Sequence, residues 1–220
     1  MSIRKVQIYG ERCSGTNYLE QLLITNFDVK VISDYGHKHF FGFNDLSGSD
    51  DVLFIGIIRN LPDWVNSLYR EKHHLPTRLR NDMNAFLNNE FFSIFDDGKL
   101  DERDVHLETT DIYKNIFELR HIKNKFLVET MPTLVQNYKL VTYDTLISDF
   151  VNVMNELNNC GLIMKSDIQF PVNISYYKAE RNTLFIKKTN QIPTELILSK
   201  ANLFYEQLLF TSSAIESSDL

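Results

Sequence analysis

Short runs of apolar and β-branched residues alternate along this chain with longer segments in which apolar residues recur every three or four positions. The short runs cover residues 5–9, 29–33, 52–58 and 139–143, and the third indicates a central strand. Continuous apolar runs of this length are typical of parallel strands that are covered on both faces. The pattern therefore predicts an α/β fold, a three-layer α/β/α arrangement with a central and mainly parallel sheet.

Helical periodicity occupies most of the remaining chain. The predicted helices cover residues 18–27, 62–69, 83–94, 111–137, 144–157 and 194–210. Asn60 precedes the second helix as its cap, and Pro132 is expected to interrupt the fourth.

A length of 220 residues is ordinary for one domain, which we expect to span residues 1–210. Residues 71–107 show a less regular pattern, and we interpret them as an insertion or lid beside the functional site. Residues 211–220 are predicted to form a polar tail.

Composition and charge limit the partners that we expect. Hydrophobic residues make up 43% of the chain and charged residues 24%, as in ordinary globular proteins, and the formal net charge is −6. This acidic balance argues against a nucleic-acid partner, and no apolar run is long enough for a membrane span or a secretory signal. The two cysteines, Cys13 and Cys160, indicate no disulfide framework, so we expect a cytoplasmic protein.

The first predicted strand is followed by a polar loop and an amphipathic helix, in the manner of phosphate-binding loops. Gly10 and Gly15 have the spacing of the glycines in the G-x-x-x-x-G-K loop of nucleotide triphosphatases, but Thr16 stands at the lysine position and Asn17 follows it. Backbone N–H groups are unpaired at a helix N-terminus, so a loop of small residues there is suited to a phosphate or sulfate. The alternative is a structural turn that Thr16 or Ser14 caps.

Two further groups of charged residues follow predicted strands. His37, Lys38 and His39 come after the second strand, where they are suited to general-base catalysis, although a solvated loop with exposed histidines is the simpler alternative. Arg59 directly follows the third strand. Ligands bind outside the carboxyl ends of the strands in open α/β sheets, so we expect Arg59 and the glycine loop to face one site.

These residues together resemble the sulfotransferases that use 3′-phosphoadenosine 5′-phosphosulfate (PAPS) as the sulfuryl donor. The loop Arg12-Cys-Ser-Gly-Thr-Asn17 is similar to their 5′-phosphosulfate loop, although Cys13 replaces the usual lysine. The segment from Arg59 to Ser67 is similar to their 3′-phosphate motif, in which Arg and Ser stand eight residues apart after a strand. Residues 141–146, Val-Thr-Tyr-Asp-Thr-Leu, are similar to their Tyr-Glu-Asp-Leu segment, whereas their Arg-Lys-Gly segment near the C-terminus is missing.

The resemblance implies sulfuryl transfer from PAPS, without a metal, to a hydroxyl or amine of a small-molecule or glycan acceptor. The residues assigned in this way to the donor are Arg12, Cys13, Ser14, Gly15, Thr16, Asn17, Arg59, Ser67, Lys178 and Arg181. Arg12 replaces the family lysine at the bridging oxygen, and Arg59 and Ser67 bind the 3′-phosphate.

The resemblance also implies a general base after the second strand, where the family usually has a histidine. His39 is the predicted base, with Lys38 assisting it and His37 as the substitute candidate. His73 and His74 of the insertion are further alternatives for the base.

Three other classes of function stay open. The first is a P-loop nucleotide or small-molecule kinase, which binds ATP with Mg²⁺. The second is a nucleotide-binding module without catalysis, since the loop lysine is replaced. The third is a thiol enzyme that uses Cys13.

Overall fold

The computed structural model describes residues 3–39, 45–169, 173–175, 182–184 and 189–210. Its strands are β1 (Lys5–Gly10), β2 (Lys30–Ile32), β3 (Val52–Ile58), β4 (Ser93–Ile94), β5 (Leu100–Asp101), β6 (Tyr138–Thr142), β7 (Asn173–Ser175) and β8 (Asn182–Leu184). Its helices are α1 (Thr16–Asn26), α2 (Leu61–Arg70), α3 (Thr77–Asn81), α4 (Met83–Asn88), α5 (Ile116–Lys125), α6 (Met131–Leu134), α7 (Tyr143–Ser148), α8 (Phe150–Asn159), α9 (Thr194–Leu198) and α10 (Phe204–Phe210). The predicted tail 211–220 lies outside the described residues.

Four parallel strands form the central sheet, in the order β2-β1-β3-β6. Ile55 of β3 pairs with Ile8 of β1 on one side and with Lys139 of β6 on the other. Every residue of β3 is buried, as its apolar run predicts for a central parallel strand. The prediction of an α/β fold with a central parallel sheet is confirmed.

Side chains of the sheet alternate between two helical layers, because successive residues of a strand point to opposite faces. On one face, Ile8 belongs to a buried cluster with Leu22 of α1 and Leu157 of α8. On the other face, Phe54 of β3 belongs to a cluster with Leu127, which lies between α5 and α6. Helices therefore cover both faces of the sheet.

The boundaries of three predicted helices differ from the sequence pattern. The predicted helix 111–137 is interrupted near Pro132, as expected: a π-helical turn at Phe126–Thr130 separates α5 from α6, and Pro132 lies in the first turn of α6. The predicted helix 144–157 divides into α7 and α8 at Asp149, whose backbone is not helical. The predicted helix 194–210 divides into α9 and α10. No helix among the described residues has the length and apolar character needed to cross a membrane.

The segment between α2 and α5 builds a further layer beside the sheet. Its helices α3 and α4 share a buried cluster with α2, α5 and α9, and this cluster includes Trp64, one of the largest fully buried side chains. The helix predicted over residues 83–94 ends at Asn88, and residues 93–101 instead form an antiparallel hairpin of β4 and β5. The strands of this hairpin have two residues each, which is too short for an alternating pattern to identify.

Gly15 provides a test of how closely α7 packs on the loop before α1. Its φ of 103° is in the left-handed region, and an added Cβ would lie 2.4 Å from the Tyr143 ring. We expect Gly15→Ala to lower the free energy of unfolding by roughly 1–2 kcal/mol for the backbone and by about 1–3 kcal/mol more for the overlap. Urea denaturation measures the change.

Gly98→Ala is the matched control for this substitution. Gly98 has a φ of 82°, but nothing lies within 4 Å of its added Cβ, so only the backbone cost applies. Equal losses for the two variants would show that Tyr143 does not constrain the loop.

Candidate functional site

The carboxyl ends of β1 and β3 lie where the order of the sheet reverses. β1 continues through α1 to β2 on one side, whereas β3 has β6 as its neighbour on the other side. In open α/β sheets, ligands bind in the crevice at such a point. The loop between β1 and α1 and the residues directly after β3 therefore define the candidate site.

The loop after β1 turns tightly and presents an uncapped helix. Both the backbone N–H and the hydroxyl of Ser14 donate to the carbonyl oxygen of Glu11, at 3.2 and 2.7 Å. Gly15 is the N-cap of α1 and no side chain caps the helix, so a cap from Ser14 or Thr16 is excluded. An uncapped helix start has unpaired N–H groups and a positive dipole end, and both favour an anion.

The two charged side chains of the loop point away from this helix start. Glu11 is buried and pairs with Arg120 of α5 at 3.0 Å, and Arg120 also pairs with Glu206 of α10 at 2.8 Å. Arg12 pairs with two carboxylates of the segment 71–107, described next. Ion pairs with α5, α10 and the insertion 71–107 therefore fix the loop on the side away from the start of α1.

Asp104 is the centre of the ion pairs behind the loop. Its carboxylate accepts from Arg12 Nε at 2.7 Å, from Lys123 Nζ at 2.7 Å and from Ser93 Oγ at 2.5 Å. Arg12 Nη2 also donates to Asp101 at 2.6 Å. Two of the three guanidinium nitrogens of Arg12, its predicted catalytic group, are thus paired within the protein.

Lys38, in the loop after β2, brings a cation to the start of α1. Its ammonium group contacts the Asn17 side chain in the first turn of α1, and it lies 3.6 Å from Glu20. The backbone N–H of Gly10 donates to the Lys38 carbonyl oxygen at 2.9 Å, which fixes this loop beside β1. The ammonium group of Lys38, the predicted assistant to the base, therefore lies at the first turn of α1.

Arg59 lies at the end of β3 with an unused donor. Its Nε is buried and has no hydrogen-bond partner among the described residues, while Nη1 lies 3.4 Å from the carbonyl oxygen of Cys13. The guanidinium group stacks over the Tyr143 ring at 4.7 Å. A buried donor without a partner is costly, so this arrangement is suited to an acceptor from outside the chain.

Two side chains hold the residues around Arg59 in place. Asp144, after β6, accepts from the backbone N–H of Asn60 at 3.0 Å and from its side chain at 2.5 Å. The Asn60 side chain in turn caps α2 by accepting from the N–H of Asp63, which confirms the predicted cap. The loops after β3 and β6 are thereby joined.

Ser67 and Cys13 meet beside Arg59. Ser67 lies close to the Cys13 side chain, and Arg59 Nη1 lies 3.4 Å from the Cys13 carbonyl oxygen, so both predicted residues lie at the loop. Burial, and then the charge of Glu71, raise the pKa of the Cys13 thiol to about 11. A thiol that stays protonated is a poor nucleophile, which argues against the thiol enzyme.

His39 lies over the end of β1. Its Nδ1 is 2.7 Å from the Gly10 carbonyl oxygen, and since a carbonyl can only accept, Nδ1 carries the proton. Nε2 is then the basic nitrogen, as a general base requires. Burial, and then the charge of Arg12, hold the pKa of His39 well below its ordinary value, so the ring is neutral at pH 7.

The other predicted residues are less informative. Lys178 and Arg181 lie outside the described residues. His74 is buried, and its burial lowers its pKa to about 4, whereas its neighbour His73 is exposed. In the part of the chain that the structure describes, no group of three or more His, Cys, Asp or Glu residues is placed to hold a metal ion.

Comparison with known proteins does not assign this chain to a family. No protein-family model matches it, and no curated protein is significantly similar to it. The function therefore has to be inferred from the site.

We predict that the Asp104 carboxylate is essential for stability. Asp104→Asn should lower the free energy of unfolding by about 3–5 kcal/mol, because Arg12 and Lys123 would lose the charge that they share. Asp97→Asn is the control, since the exposed pair of Asp97 with Lys99 should contribute less than about 1 kcal/mol. Similar losses in urea denaturation would contradict the central role of Asp104.

The same carboxylate should make the native protein sensitive to acid. Burial acts to raise the pKa of Asp104, but the charges of Lys123 and Arg12 outweigh it and hold the pKa well below the ordinary value of 3.8. Its stabilisation is therefore complete above that value and is lost as the pH falls further, since the unfolded chain then binds the proton first. The Asp104→Asn variant should show a flatter decline of stability below about pH 4.

Proposed function

We propose that this protein is a sulfotransferase that moves a sulfuryl group from PAPS to a hydroxyl or amine. The observation that carries the proposal is the buried, unpartnered Nε of Arg59 beside the uncapped start of α1. These two features give two separate places for anionic groups at one crevice. A donor with phosphate groups at both its 3′ and 5′ positions matches such a pair.

In this proposal the start of α1 binds the 5′-phosphosulfate. The backbone of Gly15 to Asn17 supplies N–H donors, and Lys38 supplies the positive charge that offsets the charge on the departing phosphate. This role goes to Lys38 rather than to Arg12, because Arg12 is already paired with Asp101 and Asp104. Arg59 and Ser67 bind the 3′-phosphate.

His39 then acts as the general base. The acceptor oxygen or nitrogen attacks the sulfur, a new bond to sulfur forms, and the bond between sulfur and the 5′-phosphate oxygen breaks. His39 Nε2 takes the proton of the acceptor, while the hydrogen bond of Nδ1 to Gly10 keeps the ring oriented. Most of the catalysis in such a transfer comes from positioning and from neutralising charge.

A nucleotide-binding module without catalysis is the second candidate. It is favoured by Cys13 in the place of the loop lysine and by the pairing of Arg12 within the protein. Both functions predict binding of 3′,5′-adenosine bisphosphate without metal, whereas a kinase predicts binding of ATP with Mg²⁺. The two experiments below separate these alternatives.

The first experiment concerns binding of 3′,5′-adenosine bisphosphate. At a hundred times its dissociation constant, the ligand should stabilise the protein by about 2.7 kcal/mol without added metal, which a melting curve detects. Arg59→Gln should weaken this binding by roughly 1.5–3 kcal/mol, because charge-assisted hydrogen bonds to the 3′-phosphate are lost. Adenosine 5′-monophosphate should bind the native protein and the variant almost equally.

Arg70→Gln, at the other end of α2, is the control for Arg59→Gln and should bind the bisphosphate as the native protein does. A loss for both nucleotides in Arg59→Gln would mean that Arg59 has a structural role. If millimolar bisphosphate does not stabilise the native protein, the assignment of PAPS as the donor is wrong. Metal-dependent binding of ATP would favour the kinase.

The second experiment tests His39 as the base. His39→Ala should lower the turnover of PAPS with an acceptor by roughly a hundredfold to ten-thousandfold and leave bisphosphate affinity unchanged. The rate of the native enzyme should lack the ascending limb near pH 6.5 that an unperturbed histidine base would give, because the pKa of His39 is well below this ordinary value. His73→Ala is the control; full activity in His39→Ala, or a loss only in the control, would place the base elsewhere.

A further inference from the structure

Arg103 lies beside the predicted base, although nothing in the local sequence pattern identifies it. Its Nε and Nη2 form a bidentate pair with Asp101, and its Nη1 lies 3.4 Å from Nε2 of His37. The rings of His37 and His39 are 5.1 Å apart. The buried Lys123 fixes this proximity, because its ammonium group donates to the carbonyl oxygens of both Arg103 and His39, at 3.2 and 3.1 Å.

Two donors point at one imidazole ring at this place. The N–H of His39 lies 3.2 Å from Nδ1 of His37, while Nη1 of Arg103 faces Nε2 of the same ring. A neutral imidazole has one unprotonated nitrogen and a protonated one has none, so His37 cannot accept from both donors. At least one of these two donors, the His39 N–H or Arg103 Nη1, therefore finds no lone pair on His37.

Arg103 is the most accessible cation of the ion pairs behind the loop. Those pairs join Arg12, Arg103 and Lys123 to Asp101 and Asp104, and the neighbouring pairs join Arg120 to Glu11 and Glu206. Arg103 has the greatest exposed fraction of these four cations, 31%, so its remaining donor is the one that an anion from outside the chain can reach.

An apolar surface accompanies this charge. The guanidinium group of Arg103 lies over the ring of Phe95, 5.1 Å from its centroid. Phe95 and Leu100 of the same hairpin are 45% and 38% exposed. Aromatic side chains and arginine are the residue types that most often carry binding energy, and an exposed ring here is suited to contact the ring face of a ligand.

We propose, on the basis of the proposed function, that Arg103 and Phe95 form the acceptor subsite and select an acceptor that carries an anionic oxygen group beside a ring. The carboxylate or sulfate of the acceptor accepts from Nη1 of Arg103, and the ring packs on Phe95. The hydroxyl or amine to be sulfated then points toward His39. The hairpin of β4 and β5 is therefore the part of the insertion that determines acceptor specificity.

The test compares two probes that differ only in charge, 4-hydroxyphenylacetate and 4-hydroxyphenylacetamide, by calorimetric titration with and without 3′,5′-adenosine bisphosphate. The native protein should bind the carboxylate about tenfold or more tightly than the amide, because a charge-assisted hydrogen bond is made only by the carboxylate. This preference should shrink as salt is added. Equal binding of the two probes, or binding of neither at millimolar concentration, would overturn the proposal.

Variants locate the preference within the structure. Arg103→Gln should abolish it and Phe95→Ala should weaken both probes alike, while bisphosphate affinity stays unchanged in each and reports that the fold is intact. Arg78→Gln is the matched control, since Arg78 also stacks over a phenylalanine, Phe92, and pairs with a carboxylate, Glu90. A preference that survives in Arg103→Gln would refute the subsite.

The outcomes for the subsite and for the sulfotransferase proposal are distinct. If the native protein binds bisphosphate but shows no preference for the carboxylate, only the acceptor subsite is wrong. If it prefers the carboxylate but does not bind bisphosphate, the anion subsite stands and the donor assignment is wrong.

Discussion

The carboxylate of Asp104 is the contact on which the candidate site depends. It receives Arg12 from the loop after β1, Lys123 from α5 and Ser93 from β4, so one buried anion joins three elements that are distant in sequence. Without this carboxylate, Arg12 and Lys123 would lose the negative charge that they share, which makes alternative arrangements costly. Through Lys123 the same anion also determines where the backbone of His39 lies.

Because of this network, the charged side chains of the loop after β1 stabilise the fold. The charges that face the crevice come from other elements. Glu11 and Arg12 point backward into α5 and the insertion, which leaves the backbone of the loop and its small residues facing the crevice. Lys38 and Arg59 then approach that crevice from the ends of β2 and β3. Separate elements can place two cations near one helix start without placing them next to each other in sequence.

The sequence predicts those features that depend on local pattern. The four sheet strands, the cap at Asn60 and the position of Arg59 at a strand end follow from apolar runs, capping chemistry and the rule for ligand sites in open sheets. The partners of Arg12, the contact of Lys38 with α1 and the proximity of Arg103 to His37 depend on long-range packing, and no spacing rule identifies them. The hairpin that carries Arg103 is missed for a related reason, because a strand of two residues has no measurable period.

A chain with a net charge of −6 can still bind anions, because long-range steering and local affinity respond to different charges. Screening at physiological salt limits interactions between exposed charges to about 8 Å, so most of the acidic surface contributes little at the crevice. Arg59 and the start of α1 are the groups that favour an anion there. Their buried position strengthens this effect, since buried charges are screened less than charges at the surface.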